Sequence, residues 1–123
     1  MFDHVEFRVA QITEARRFYG AICAAVGARE IFFDADVGEV GFGVGEVVTL
    51  LLTGGAATVP KMHICFRSPD KTSVERAYAA ALAAGGRCNG PPGYRTDYGP
   101  GYFAAFMIDP DGHNIEALFR EPV

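Results

Sequence analysis

Two histidines in this chain stand in the same local setting. His4 opens H-V-E-F-R and His63 opens H-I-C-F-R, each followed three residues later by Phe-Arg. Near the C-terminus, D-P-D-G-H-N-I-E-A-L-F sets Glu116 in the middle of a short apolar run, directly after a tight-turn sequence. Two neutral imidazoles and one carboxylate make a three-ligand set with open coordination positions, the donor chemistry of a first-row divalent metal. A single histidine on a half-polar strand is ordinarily a surface or hydrogen-bonded residue. Two at equivalent positions, joined by a carboxylate in the last strand, are much harder to reach by accident.

Other polar groups collect around these three. Glu6 lies two residues from His4, hence on the same strand face, where it can act as a base or as a hydrogen-bond acceptor behind a ligand. Arg8 and Arg67 repeat one another and can orient an anionic oxygen, although a strand arginine more often serves as an ion-pair partner. Tyr94, Arg95, Tyr98 and Tyr102 are candidates for a substrate wall; the plainer alternative is tyrosines that cover the core. Cys65 shares the face of His63 and would sit close to a bound metal. His113, three residues before Glu116, falls off that strand face and reads as a turn residue.

An internal repeat supplies the elements that must position these groups. Displacing the sequence by 59 positions lays His4 on His63 without a gap and also matches Phe7/Phe66, Arg8/Arg67, Thr13/Thr72, Arg17/Arg76, Tyr19/Tyr78 and Gly27/Gly86. Each half opens with a period-two strand, with Val5, Phe7 and Val9, or Met62, Ile64 and Phe66, on the apolar side. Each strand leads into a helix. The first carries Ala15, Phe18, Tyr19, Ile22 and Val26 and stops at Gly27; the second begins with a Thr72–Glu75 capping box and ends at Gly85-Gly86. R-E-I-F-F-D-A is a strand, and V-G-F-G-V and E-V-V-T-L-L-L-T form a hairpin across Gly45. Residues 89–101 read as a long ordered loop, so the first strand after the second helix is short or irregular. Y-F-A-A-F-M-I-D and H-N-I-E-A-L-F make a second hairpin around Asp-Pro-Asp-Gly.

The result is an α+β chain of two βαβββ modules, 1–57 and 60–123, within a single domain of 1–123. If the opening strands lie side by side, His4 and His63 become neighbours on one concave face, and Glu116 joins them from the last strand. Half the 123 residues are hydrophobic and about a fifth charged, as in a globular protein. A net charge of −4 and pI near 5.3 argue against nucleic acid or an anionic membrane as partner. The apolar runs are too short to cross a bilayer, and the expected compartment is the cytoplasm. Three scattered cysteines without a C-x-x-C pair argue against a disulfide scaffold or zinc ribbon, and Cys23 reads as a small apolar helix residue.

The opening D-H-V-E-F-R-V, the second opening M-H-I-C-F-R-S and the closing D-P-D-G-H-N-I-E-A-L-F resemble the vicinal oxygen chelate superfamily. That superfamily includes glyoxalase I, extradiol dioxygenases, fosfomycin-resistance thiol transferases and bleomycin-resistance proteins. The resemblance spans essentially the whole chain. It implies a half-open mixed-sheet cup of two βαβββ modules, often completed in a homodimer, with a divalent metal (Fe, Mn, Zn or Ni) on His4, His63 and Glu116. Glyoxalase I-like members add a glutamate from the fourth strand of the first module. Here that strand offers no carboxylate between Val47 and Thr53, which counts against ordinary methylglyoxal isomerisation. The potassium loop and cationic cluster of fosfomycin-resistance enzymes are also missing. The expected function is a metal-dependent lyase, isomerase or dioxygenase that chelates vicinal oxygens of a small molecule, with Glu6 and Glu116 as catalytic carboxylates. The alternative is a non-catalytic drug- or metabolite-binding protein of the bleomycin-resistance type.

Overall fold

The computed structural model describes residues 1–122. β1 (Val5–Val9) leads into α1 (Ile12–Val26), β2 (Arg29–Asp34), β3 (Glu39–Val44) and β4 (Val47–Gly54). The order then recurs as β5 (His63–Arg67), α2 (Lys71–Ala83), β6 (Arg87–Tyr94), β7 (Tyr102–Ile108) and β8 (Asn114–Arg120), with a 3-10 turn at Thr96–Tyr98. Alternation sorts the opening strands as their sequence predicts. Phe7 and Val9 are buried while Glu6 and Arg8 are exposed; Ile64 and Phe66 are half-buried while His63, Cys65 and Arg67 are exposed.

Each half forms a four-stranded mixed sheet, in the orders β1-β4-β3-β2 and β5-β8-β7-β6, and neither closes into a barrel. The opening strand of each half runs parallel to its fourth strand, and the other pairings are antiparallel. α1 covers the first sheet, α2 covers the second, and the two helices pack on each other. One apolar core therefore joins the halves, containing Phe7, Phe18, Tyr19, Ile22, Phe42 and Leu52 from one and Val74, Ala77, Met107 and Ile115 from the other. Gly86 lets the end of α2 approach α1 closely, since a Cβ there would lie 2.5 Å from the Phe18 ring.

Three sequence expectations need correction. The opening strands do not lie side by side within the chain: β1 and β5 are edge strands of different sheets. The stretch 89–101 is not wholly loop, because β6 runs through Pro91 and Pro92 to Tyr94. Prolines there lose no ladder hydrogen bond that an edge strand must make, and bulges between Cys88 and Gly90 and between Gly90 and Gly93 absorb the irregularity. Finally, α2 is capped by Asp70, whose carboxylate accepts from Ser73 N at 2.7 Å, two residues ahead of Thr72 in the Thr72–Glu75 box. α1 stops as expected at Gly27, which takes the left-handed conformation at φ 93°.

Both regular edges differ from the two outer ones. β1 and β5 pair with their neighbours without a register shift, whereas β2 carries a bulge between Glu30 and Phe32 and β6 carries two. Among the described residues, no helix is long and apolar enough to cross a membrane.

Candidate functional site

The placement of Glu116 begins in the turn before its strand. Asp109 Oδ1 accepts from Asp111 N at 3.0 Å and from His113 N at 2.7 Å, and Gly112 completes the reversal at φ 91°. The other oxygen of Asp109 accepts from the buried Tyr19 hydroxyl at 2.5 Å, and Asp111 Oδ2 accepts from Ala10 N at 3.2 Å. The turn is thus held by the first half of the chain as well as by itself. His113 is more than a turn residue. It is fully buried, its Nδ1 accepts from Met62 N at 2.9 Å, and it packs edge-on against Phe7. These contacts fix where β8 starts, and with it the face that Glu116 occupies.

Glu116 is 2% exposed although it lies on the face of the second sheet turned away from the helices. Its Oε1 lies 2.9 Å from His63 Nε2, and its Oε2 accepts from the Tyr102 hydroxyl at 2.5 Å. Cys65 stands directly opposite it in register. Burial, reinforced by Glu116, raises the Cys65 thiol to about 12, against a lowering influence from Arg120 and Arg67. Burial first, then the hydrogen bond to Glu116, raises the Tyr102 phenol well above its ordinary value. Both groups therefore stay protonated at neutral pH beside the carboxylate.

The first half presents a different set. His4 Nδ1 lies 2.6 Å from Asp3 Oδ1, away from His63 and Glu116, and no group of three or more potential ligands comes together among the described residues. Glu6 accepts from Thr53 Oγ1 at 3.0 Å on the open face of the first sheet. The Arg8 side chain runs beside Gly55, without a carboxylate partner among the described residues. The repeat identifies the position in the first half that corresponds to Glu116. Glu6 pairs with Leu51 as Cys65 pairs with Glu116, so Leu51 stands where the second half carries its glutamate.

The four residues proposed for a substrate wall separate into two groups. Tyr102 joins Glu116 directly, and Tyr98 packs edge-on against Tyr102 at 5.2 Å. Arg95 lies over Phe106 and donates to the carbonyls of Gly93 and Pro91, lining a cavity of about 280 Å³ with Asn89, Tyr98 and Asn114. Tyr94 points elsewhere: it accepts from Lys71 Nζ at 2.8 Å, donates to Glu121 Oε2 at 3.0 Å and packs on Phe103. A larger cavity of about 430 Å³ opens at the ends of β5 and β8, lined by Cys65, Arg67, Ser68, Leu118 and Arg120. Arg120 was not singled out by sequence, although it lies four residues after Glu116 and so shares its strand face.

Comparison with known proteins agrees with this architecture. The sequence pattern of the Glyoxalase/Bleomycin resistance protein/Dioxygenase superfamily matches residues 1–117. A crystal structure of a glyoxalase/bleomycin resistance protein from Albidiferax ferrireducens T118 superposes with a TM-score of 0.80 at 25% identity, over 98% of this chain and 99% of that one. A glyoxalase/bleomycin resistance protein/dioxygenase family enzyme from Burkholderia phytofirmans PsJN gives 0.72 at 16% identity, over 97% and 98%. The fosfomycin resistance protein FosX from Mesorhizobium loti gives 0.69 at 20% identity, over 97% and 91%; at these identities the last two speak for fold alone. No match is found among curated proteins. With its pattern matched over nearly its whole length and its two βαβββ halves in place, this chain belongs to the Glyoxalase/Bleomycin resistance protein/Dioxygenase superfamily.

Proposed function

We propose that the chain is a metal-dependent enzyme that chelates vicinal oxygens of a small molecule, and that two copies complete its centre. His63 and Glu116 come from one copy and His4 from the other. The observation that carries this reading is the approach of His63 Nε2 to Glu116 Oε1 at 2.9 Å, with the His63 side chain 51% exposed. An imidazole nitrogen and a carboxylate oxygen this close together would be able to hold one divalent ion jointly, in place of the hydrogen bond between them. His63 and Glu116 would supply two of its ligands, and a third protein ligand and the substrate would supply others.

Three features support a second copy as the source of that third ligand. His4 lies apart from the pair within one chain, β1 and β5 both have a free edge, and Met1, Phe2 and Val5 expose apolar side chains along the start of β1. Joining β1 of one copy to β5 of another brings a histidine to each His63–Glu116 pair.

When bound, the ion supplies Lewis-acid stabilisation of oxyanion charge on a chelated substrate. The chain's own groups do the positioning. Tyr102 holds one oxygen of Glu116 and leaves the other free to face His63. Glu6, exposed and already hydrogen-bonded to Thr53, is the carboxylate available to take a proton. Leu51 supplies no acid at the position equivalent to Glu116, which favours a reaction other than glutathione-dependent methylglyoxal isomerisation.

Metal content of the untagged protein, prepared without chelator, tests this reading. The parent should hold about one equivalent per chain, and His63→Ala and Glu116→Gln should each lose most of it. His4→Ala should lose it too, yet unfolding and refolding it together with His63→Ala should restore part, because a hybrid pair retains one intact centre. A parent that takes up no divalent metal overturns the reading and leaves a non-catalytic binding protein. Metal retained by His4→Ala, or no recovery on mixing, removes the shared centre.

A further inference from the structure

We propose that the cavity at the ends of β5 and β8 is an oxyanion subsite; given the metal centre proposed above, the substrate then carries a carboxylate or phosphate-type group beside its chelating oxygens. Arg67 and Arg120 both line this cavity of about 430 Å³, and neither has a carboxylate within ion-pair distance among the described residues. Arg120 lies over the face of the Tyr102 ring, at 5.1 Å. The nearby acids are already engaged. Glu116 is held by His63 and Tyr102, Asp70 caps α2, and Glu121 is bound by Lys71 and Tyr94. Two like charges are thus gathered in one concave place in a chain whose net charge is −4.

A second observation points the same way. Ser68 also lines the cavity, is 2% exposed, and its hydroxyl has no hydrogen-bond partner among the described residues. A buried hydroxyl is nearly always paired, so an orphan in a cavity wall indicates a missing acceptor or donor. A compact oxyanion matches both arginines, since guanidinium forks fit planar carboxylate and tetrahedral phosphate geometry, and the Ser68 hydroxyl reaches a remaining oxygen by rotating its side chain into the cavity. The subsite also has a definite place relative to Glu116. Arg67 stands opposite Leu118, two residues along β8 from Glu116, or about 7 Å of strand. A molecule with its oxygens at His63 and Glu116 and an acid group about that far away spans both.

Calorimetric titration of the metal-free full-length chain with sodium phosphate and sodium malonate, at ionic strength fixed with sodium chloride, tests the subsite apart from the metal. One anion should bind saturably, at least about tenfold more weakly to Arg67→Gln and to Arg120→Gln, as expected for losing a charged hydrogen bond. Arg76→Gln, which removes the same charge from the exposed face of α2, should bind like the parent. The tighter of the two anions then identifies a tetrahedral or a planar group. Absence of saturable binding, or equal affinity in the parent and an Arg67→Gln/Arg120→Gln double variant, overturns the proposal. Metal content separates the two readings, since both arginine variants should load metal as the parent does.

Discussion

A carboxylate taken out of water must find hydrogen bonds or give up its charge, because an isolated buried ion costs several kcal/mol. Glu116 meets that demand with Tyr102 on one oxygen and His63 on the other. The arrangement marks Tyr102 as well, whose phenol is raised by burial, by Glu116 and by Cys65, and lowered only by Arg120. In Glu116→Gln the carboxylate's share of that influence disappears. The phenol should titrate lower, read as the rise of phenolate absorbance with alkali and compared with Tyr102→Phe to identify the signal. An unchanged titration would separate Tyr102 from Glu116 in solution. At this scale strand parity was enough to put His63 and Glu116 on one face, and it left their hydrogen-bond partners open. His63 and Glu116 were legible from the repeat and from strand parity. The hydroxyl of Tyr102 was not, because the contact depends on the register that brings Tyr102 across from Arg120 on the neighbouring strand.

The turn of Asp109 to Gly112 is the element on which the site depends, since a slip of one residue would send Glu116 to the opposite face. Gly112 sits at φ 91°, and a Cβ there would also press on the Lys61 side chain at 3.0 Å. Gly112→Ala should therefore destabilise the chain by about 1–2 kcal/mol, measurable as a lower urea midpoint, and should weaken metal binding in step. Loss of metal without loss of stability would mean that the turn bears on the site by some route other than its conformation. The same element shows where local pattern is enough: Asp-Pro-Asp-Gly carries its own turn chemistry and was placed correctly. Pro91 and Pro92 show where it is not. They argue for loop in any isolated stretch, and only their position on a sheet edge makes a strand compatible with them. Asp70 displaced Thr72 as helix cap for a similar reason: several cap residues stood close together, and the backbone chose among them.

Across the whole molecule, Tyr19 joins α1 of the first half to the last turn of the second. Burial, then the charge and hydrogen bond of Asp109, hold its phenol far above its ordinary value near 10. The folded chain thus keeps a proton that the unfolded chain releases around pH 10. The stabilisation is complete below that pH and is lost as pH climbs towards the folded value, at about 1.4 kcal/mol per pH unit. Urea midpoints between pH 9 and 11 should fall accordingly, and Tyr19→Phe, weaker at neutral pH by about 1–3 kcal/mol, should show a shallower alkaline decline. Equal slopes would remove Tyr19 as the titrating group. What the sequence left hidden at this scale was which half faces which. Alternation states that His4 and His63 lie on polar faces; it carries no information on whether those faces meet in one chain or in two.

The strand edges have a consequence for how copies of this chain can accumulate. The bulged β2 and the proline-bearing β6 make poor templates for another strand, while β1 and β5 are regular and unshifted. A pair related by two-fold symmetry, with each β1 on the other's β5, consumes both regular edges at once. Nothing suited to strand addition is then left for a third copy. In a pair of that kind growth would end at two, because the bulged β2 and the proline-bearing β6 offer a third copy only irregular edges.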